Sequence, residues 1–232
     1  MTDTVTPTWF VAEFGMLALV WVAGWGVSFG LIRKGVTYLS HPLFTSCCFL
    51  SFSVLVMILF RPWRTPQAGT VTAPALTLLL TAIVLTVAVY AVVPRRLRRP
   101  DGLIARHPEE FYLPMQYRYL LPKSFEILFQ QLIIVVLTLR LAATGLPLGA
   151  VVLAFLGCFG LLHLPLLLLV RRRVGLAYSL ASLTLAAVFP VLILRVPSGV
   201  VYSYAAHWFF YTLAAVAAWI YGGRSGARFL PK

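Results

Sequence analysis

Charged residues, and acidic ones above all, are scarce in this sequence. Only 6 of its 232 residues are Asp or Glu, and all charged residues together make up 11%. A soluble domain of this length needs a larger charged share to cover its surface, so this composition excludes one. With 61% hydrophobic residues and a mean hydropathy of +0.92, the sequence predicts an integral membrane protein.

Cysteine is also rare, with three residues in the chain. Cys47, Cys48 and Cys158 all lie within apolar runs. None of them has the spacing of metal ligands, and adjacent cysteines seldom form a disulfide with each other. The pattern therefore predicts buried free thiols and no metal site.

Basic residues are the abundant charged class, and they give the chain a net charge of +13. Such a charge often indicates nucleic-acid binding. Here the basic residues fall in clusters between apolar runs, which is the pattern of cytoplasmic loops in membrane proteins. We therefore expect membrane lipids and no nucleic acid as partners. The first ten residues carry no Lys or Arg, so we expect the first span to stay in the mature protein and not to be cleaved as a signal peptide.

The apolar runs predict an all-α bundle of about seven transmembrane helices, since each run has about the 20 residues that a crossing requires. The predicted spans cover residues 9–32, 42–60, 71–93, 124–143, 146–170, 175–194 and 200–221.

Orientation follows from the distribution of Lys and Arg over the loops. If the N-terminus lies outside and the C-terminus inside, 15 of the 19 basic residues fall on the cytoplasmic side. We treat residues 1–232 as a single membrane domain. It comprises three N-terminal spans (1–94), a basic cytoplasmic loop (95–123) and a four-helix core (124–223). The aromatic second half of the loop fits either a segment on the membrane surface or a solvated loop.

The fourth span carries the polar residues that first suggest a functional site. Glu126 and Gln130 are four residues apart and share one helical face, and Gln131 lies about 100° further round. An ionisable side chain within a membrane span is costly unless it has a partner, so Glu126 marks a candidate site. The alternative is an acid near the membrane surface, paired with Lys123.

Two later spans carry single histidines, His163 and His207, and Tyr211 follows His207 by one turn. Counted from the nearest basic residue at 1.5 Å per residue, Gln130 and His163 lie about 10 and 12 Å deep. The same count places Tyr211 and His207 about 20 and 25 Å deep. We expect these side chains to form one polar pocket in the inner half of the bundle.

The order of these residues resembles the CAAX-protease and bacteriocin-processing (CPBP) family of intramembrane proteases. That family has a Glu-Glu-x-x-x-Arg helix, a Phe-x-x-x-His helix and a His-x-x-x-Asn helix. Here Phe159 and His163 match the second motif, and His207 matches the third, in which Tyr211 replaces Asn. Gln130 and Gln131 replace the glutamate pair, and the Arg is missing.

The resemblance implies a degenerate member of the family in a bacterial inner membrane. A carboxamide cannot accept a proton as a carboxylate can, so Gln130 and Gln131 cannot activate water. We therefore predict a non-catalytic protein that is a subunit, scaffold or binding module of a membrane complex, with other membrane subunits as its partners.

Two alternatives remain open. The chain could be an active endopeptidase in which Glu126 is the base and His163 and His207 bind water or the oxyanion. It could also be a small subunit that binds haem or a chlorophyll-type pigment through His163 and His207, because neutral imidazole can bind the iron of haem and the magnesium of chlorophyll. No cofactor is otherwise predicted.

Overall fold

The computed structural model describes residues 7–62, 71–106, 112–169, 180, 182–184 and 186–225. The regular structure in these ranges is helical and contains no strand. The helices are α1 (Pro7–Arg33), α2 (Pro42–Phe60), α3 (Ala73–Arg96), α4 (Asp101–Arg106), α5 (Tyr117–Ala142), α6 (Leu148–Leu169), α7 (Val188–Arg195) and α8 (Gly199–Ser225).

Four of the described helices are long and apolar enough to cross a membrane, namely α1, α2, α3 and α5. This agrees with the predicted all-helical membrane class. Helices α6 and α7 provide shorter apolar stretches, and α8 has 27 residues with several polar side chains among them. Most of the first half of the predicted sixth span, from residue 175, lies outside the described residues.

The start of α5 differs most from the sequence-based expectation. The helix begins at Tyr117, whereas the predicted span begins at residue 124, so the end of the expected loop is helical. Pro122 lies inside the helix, where its missing N–H costs a single backbone hydrogen bond. The aromatic second half of this loop, for which a membrane-surface segment and a solvated loop were both open, is partly internal, because Met115 and Tyr119 are buried.

Helix α5 forms the centre of the bundle. It contacts α1, α2, α6, α7 and α8, and its longest contact is with α2. Its buried residues include an unbroken run from Ile133 to Leu139. Lipid can surround an apolar helix such as α3, which lies at the periphery. Helix α5 lies inside because its polar side chains Glu126, Gln130 and Gln131 need partners within the protein.

An aromatic cluster fastens α1 and α2 to α5. The centre of the Phe129 ring on α5 lies 5.7 to 6.3 Å from the ring centres of Trp21, Phe49 and Phe52. Gly24 permits this approach, since a Cβ atom built at this position would lie 2.9 Å from the Phe129 ring. A larger residue at position 24 would collide with the Phe129 ring.

At the other end of these helices, an ion pair joins α5 to α1. Arg140, in the last turn of α5, lies 2.9 Å from the Glu13 carboxylate on α1. The Arg140 guanidinium also donates a hydrogen bond of 3.3 Å to the carbonyl of Phe60 at the end of α2. Glu13 is therefore paired inside the protein, and one side chain links three helices.

Substitution at Gly24 tests the aromatic packing. Gly24→Ala is expected to lower the free energy of unfolding by about 1–3 kcal/mol, because the new methyl group collides with a ring held on several sides. Gly26→Ala is the matched control, since nothing lies within 4 Å of its Cβ position. The control should leave stability unchanged or raise it by up to about 1 kcal/mol.

Unfolding of both variants in detergent micelles measures this difference. Equal stability of the two variants would show that Phe129 does not pack tightly against α1.

Candidate functional site

Glu126 is buried at the centre of a polar cluster that joins three parts of the chain. Its side chain is 2% exposed. Its Oε1 atom accepts hydrogen bonds from Lys123 Nζ at 2.6 Å and from Gln130 Nε2 at 2.7 Å, and its Oε2 accepts one from the Tyr38 hydroxyl at 2.6 Å. The carboxylate therefore has three donors, one of them a cation.

Lys123 connects this carboxylate to α8. Its ammonium lies 3.5 Å from the centre of the Tyr211 ring, and its side chain is 6% exposed. A desolvated ammonium over an aromatic face is stabilised by the ring quadrupole. The Tyr211 hydroxyl also interacts with Gln130. Lys123 and Gln130 of α5 therefore both contact Tyr211 of α8.

Tyr38 closes the cluster from the turn between α1 and α2. Burial, followed by the nearby Glu126 carboxylate, raises the pKa of Tyr38 well above its ordinary value. The phenol therefore keeps its proton and remains a donor to Glu126. Sequence reasoning missed this residue, because a tyrosine beside a span end looks like an ordinary anchor at the membrane surface.

The two glutamines have different roles. Gln130 hydrogen-bonds to Glu126. The Gln131 amide donates to the Ser203 hydroxyl on α8, and its Oε1 atom is buried without a hydrogen-bond partner among the described residues. Gln130 therefore connects Glu126 of its own helix with Tyr211, whereas Gln131 links α5 directly to α8.

His163 packs between two aromatic rings. The ring centres of Phe159 and Trp21 lie 4.2 and 5.5 Å from its own. Its Nδ1 atom lies 2.8 Å from the Phe159 carbonyl oxygen. Because a carbonyl oxygen only accepts, Nδ1 is the donor, and this contact fixes the proton on that nitrogen.

His207 lies one helical turn from both Ser203 and Tyr211. Its ring centre is 5.5 Å from that of Tyr211 and 5.6 Å from that of Phe189 on α7. Lys123 and His163 are its charged or titratable neighbours. Within the described residues, its buried Nδ1 atom has no hydrogen-bond partner.

The structure therefore brings Glu126, Gln130, Tyr211 and His207 into one continuous cluster, with Gln131 and His163 at its margin. The depth count for Gln130 starts at Lys123, the nearest basic residue. Lys123 is buried, and α5 starts at Tyr117. Counted from Tyr117, Gln130 lies about 20 Å along the helix, level with the estimate for Tyr211.

Metal-binding side chains do not assemble in the part of the chain that the structure describes. No group of three His, Cys, Asp or Glu residues is close enough there to hold an ion. A hydrolytic zinc site normally has three protein ligands, and the described part of the cluster does not offer them.

Comparison with known proteins adds no relative. No family model, no curated protein and no solved structure matches this chain. The resemblance to the CPBP family therefore stays a prediction from the motifs, and the chemistry of the cluster must be judged from its own geometry.

That geometry favours binding and structural roles for the carboxylate. A general base needs an oxygen lone pair directed at the water or hydroxyl that it deprotonates. In Glu126, Oε1 is occupied by two donors and Oε2 by a third. The three donors therefore direct the carboxylate at groups of the protein.

Removal of the carboxylate should destabilise the protein strongly. Glu126→Ala is expected to lower the free energy of unfolding by about 3–5 kcal/mol, because it leaves the Lys123 charge buried and unpaired. The double variant Lys123→Met, Glu126→Leu should recover most of this loss, since apolar residues of similar size can replace a buried pair.

The exposed pair of Arg99 and Asp101, 3.1 Å apart, provides the control. Asp101→Ala should change stability by less than about 1 kcal/mol. Unfolding in detergent micelles measures all four proteins. If Glu126→Ala cost no more than Asp101→Ala, the buried pair would not be a stabilising element.

Proposed function

We propose that this chain is a non-catalytic multi-pass membrane protein with a CPBP-like core that works by binding, as a subunit or scaffold of a membrane complex. One observation carries the proposal: the Glu126 carboxylate is neutralised and enclosed by Lys123, Gln130 and Tyr38 of the same chain. The replacement of the motif glutamates by Gln130 and Gln131 supports the same conclusion.

The proposal includes seven crossings with the N-terminus outside and the C-terminus inside. The four helices that are long and apolar enough to cross a membrane support it, as do the further apolar stretches in α6 and α7. The outer segments then hold only four of the 19 basic residues, namely Arg61, Arg64, Arg140 and Arg195. The family resemblance suggests a bacterial inner membrane.

Reporter fusions test this topology. A fluorescent protein fused after residue 232 should fluoresce, because the C-terminus lies in the cytoplasm. Alkaline phosphatase fused after residue 65 should be active, because that loop lies outside. Inactive phosphatase together with a non-fluorescent C-terminal fusion would reverse the orientation.

Purification from the native membrane in mild detergent tests the function. A second membrane protein should co-purify in a fixed ratio, and the preparation should be colourless. A monodisperse monomer without a partner would contradict the proposal. Visible absorbance that disappears in His163→Ala or His207→Ala would instead identify a pigment-binding subunit.

A cleavage assay with membrane-associated peptides distinguishes the enzyme. The wild-type protein and Glu126→Gln should both show no turnover above background. Cleavage by the wild-type protein that Glu126→Gln abolishes, while the variant remains folded, would show that Glu126 is a base after all.

A further inference from the structure

Helices α3 and α8 run parallel, so that both end on the same side of the bundle. Where the two helices begin, the backbone N–H of Thr72 donates a hydrogen bond of 2.8 Å to the Ser198 hydroxyl. Further along, the hydroxyl oxygens of Thr86 and Thr212 lie 3.1 Å apart. Both pairs are separated by 126 residues in the sequence, as expected for two helices that run in the same direction. The residues that follow α3 therefore lie beside the end of α8.

The segment after α3 packs against this end of α8. Helix α3 ends at Arg96, and Pro100 is buried. A Cβ atom built at Gly222 of α8 would lie 2.9 Å from the Cβ atom of Pro100 and 3.1 Å from Cδ2 of Leu103. Pro100 and Leu103 thus pack directly on the α8 backbone. Residues 97–99 are held between α3 and this contact, so they stay next to the end of the span.

This short segment contains a cluster of exposed arginines. Four of the five residues at positions 95–99 are arginines, namely Arg95, Arg96, Arg98 and Arg99, and all four are exposed. Arg99 pairs with Asp101. The other two acids that the structure describes, Glu13 and Glu126, are paired inside the bundle. Within the described residues, no acid is therefore left to neutralise the first three arginines of the cluster.

The position of the cluster favours a membrane lipid as the missing anion. The 24 residues of α3 extend about 36 Å, which exceeds the hydrocarbon thickness of about 30 Å, so the basic last turn reaches the lipid headgroups. Four or more basic residues directly after a span are typical of segments that bind anionic lipids. Leu97 lies among the arginines and is 37% exposed, which suits an apolar side chain at the boundary between headgroups and acyl chains.

We propose that residues 95–99 bind the headgroups of anionic phospholipids. The guanidinium groups of Arg95, Arg96 and Arg98 donate to the phosphate oxygens, because the planar fork of arginine matches a phosphate. The packing of Pro100 on α8 keeps these groups at one place on the membrane surface. The proposal requires that α3 crosses the membrane, and it does not depend on the proposed non-catalytic function.

Native mass spectrometry of the full chain in detergent measures this binding. Titration with phosphatidylglycerol should give adducts that are tighter than those with phosphatidylcholine of the same acyl chains. Arg96→Gln with Arg98→Gln should weaken phosphatidylglycerol binding by about 30-fold, because each basic residue contributes about 1 kcal/mol to anionic lipid binding. Phosphatidylcholine binding should not change.

Arg33→Gln with Lys34→Gln is the matched control, since it removes the same charge from an exposed basic pair at the end of α1. Its affinity for phosphatidylglycerol should stay close to that of the wild-type protein. An equal loss in both double variants would reduce the effect to net charge and overturn the proposal. Equal affinity of the wild-type protein for the two lipids would also overturn it.

Glycerol phosphate and a short DNA duplex distinguish other sources of phosphate. Glycerol phosphate carries a phosphate without acyl chains and should give no adduct. An adduct that the Arg96→Gln, Arg98→Gln variant loses would identify a site for a free phosphate and contradict a lipid site. Binding of the duplex that this variant abolishes, without a preference for phosphatidylglycerol, would assign the surface to nucleic acid.

Gly222→Leu tests the packing that positions the arginines, and it changes no charge. The new side chain displaces Pro100 and should weaken phosphatidylglycerol binding by about 5-fold, which is the effect of losing one basic contact. Gly157→Leu on α6 is the control, because nothing lies within 4 Å of its Cβ position, and it should bind as the wild-type protein does. Unchanged affinity in folded Gly222→Leu would show that the arginines act without this packing and would overturn the positioned site.

Discussion

The buried pair of Lys123 and Glu126 is the interaction on which the described part of the bundle depends most. Two ions inside a membrane bundle are tolerated only when their charges cancel and their remaining hydrogen-bonding capacity is met. Here the ring of Tyr211, the amide of Gln130 and the hydroxyl of Tyr38 meet it. These groups come from α5, from α8 and from the turn after α1, so the pair fixes how the three segments meet.

The same pair limits what the site can do. Its cation is held over an aromatic ring and its anion by three donors, so neither is presented to a substrate. The histidines are held by packing: Phe159 and Trp21 enclose His163, and Phe189 and Tyr211 flank His207. What remains is a polar core whose hydrogen-bonding groups are mostly paired within the described residues, and this arrangement supports the proposed binding role.

Sequence reasoning could predict the membrane class, the limits of α2, and the shared helical faces of Glu126 with Gln130 and of His207 with Tyr211, because these follow from apolar periodicity and helical spacing. It could not predict the start of α5, since a basic residue and a proline normally indicate a loop end. It also could not predict Tyr38, 88 residues from Glu126 in the chain. Contacts of this kind depend on tertiary packing and leave no local pattern.

The central claim is that Glu126 is an ionised, internally paired carboxylate. Isotope-edited infrared spectroscopy on glutamate-labelled protein, compared with Glu126→Gln, measures this directly. The account predicts that the difference spectrum near neutral pH contains a carboxylate band and no band of a protonated acid, and that the carboxylate band shifts when Lys123 is replaced by Met. A protonated acid band, or no response to Lys123→Met, would contradict the account.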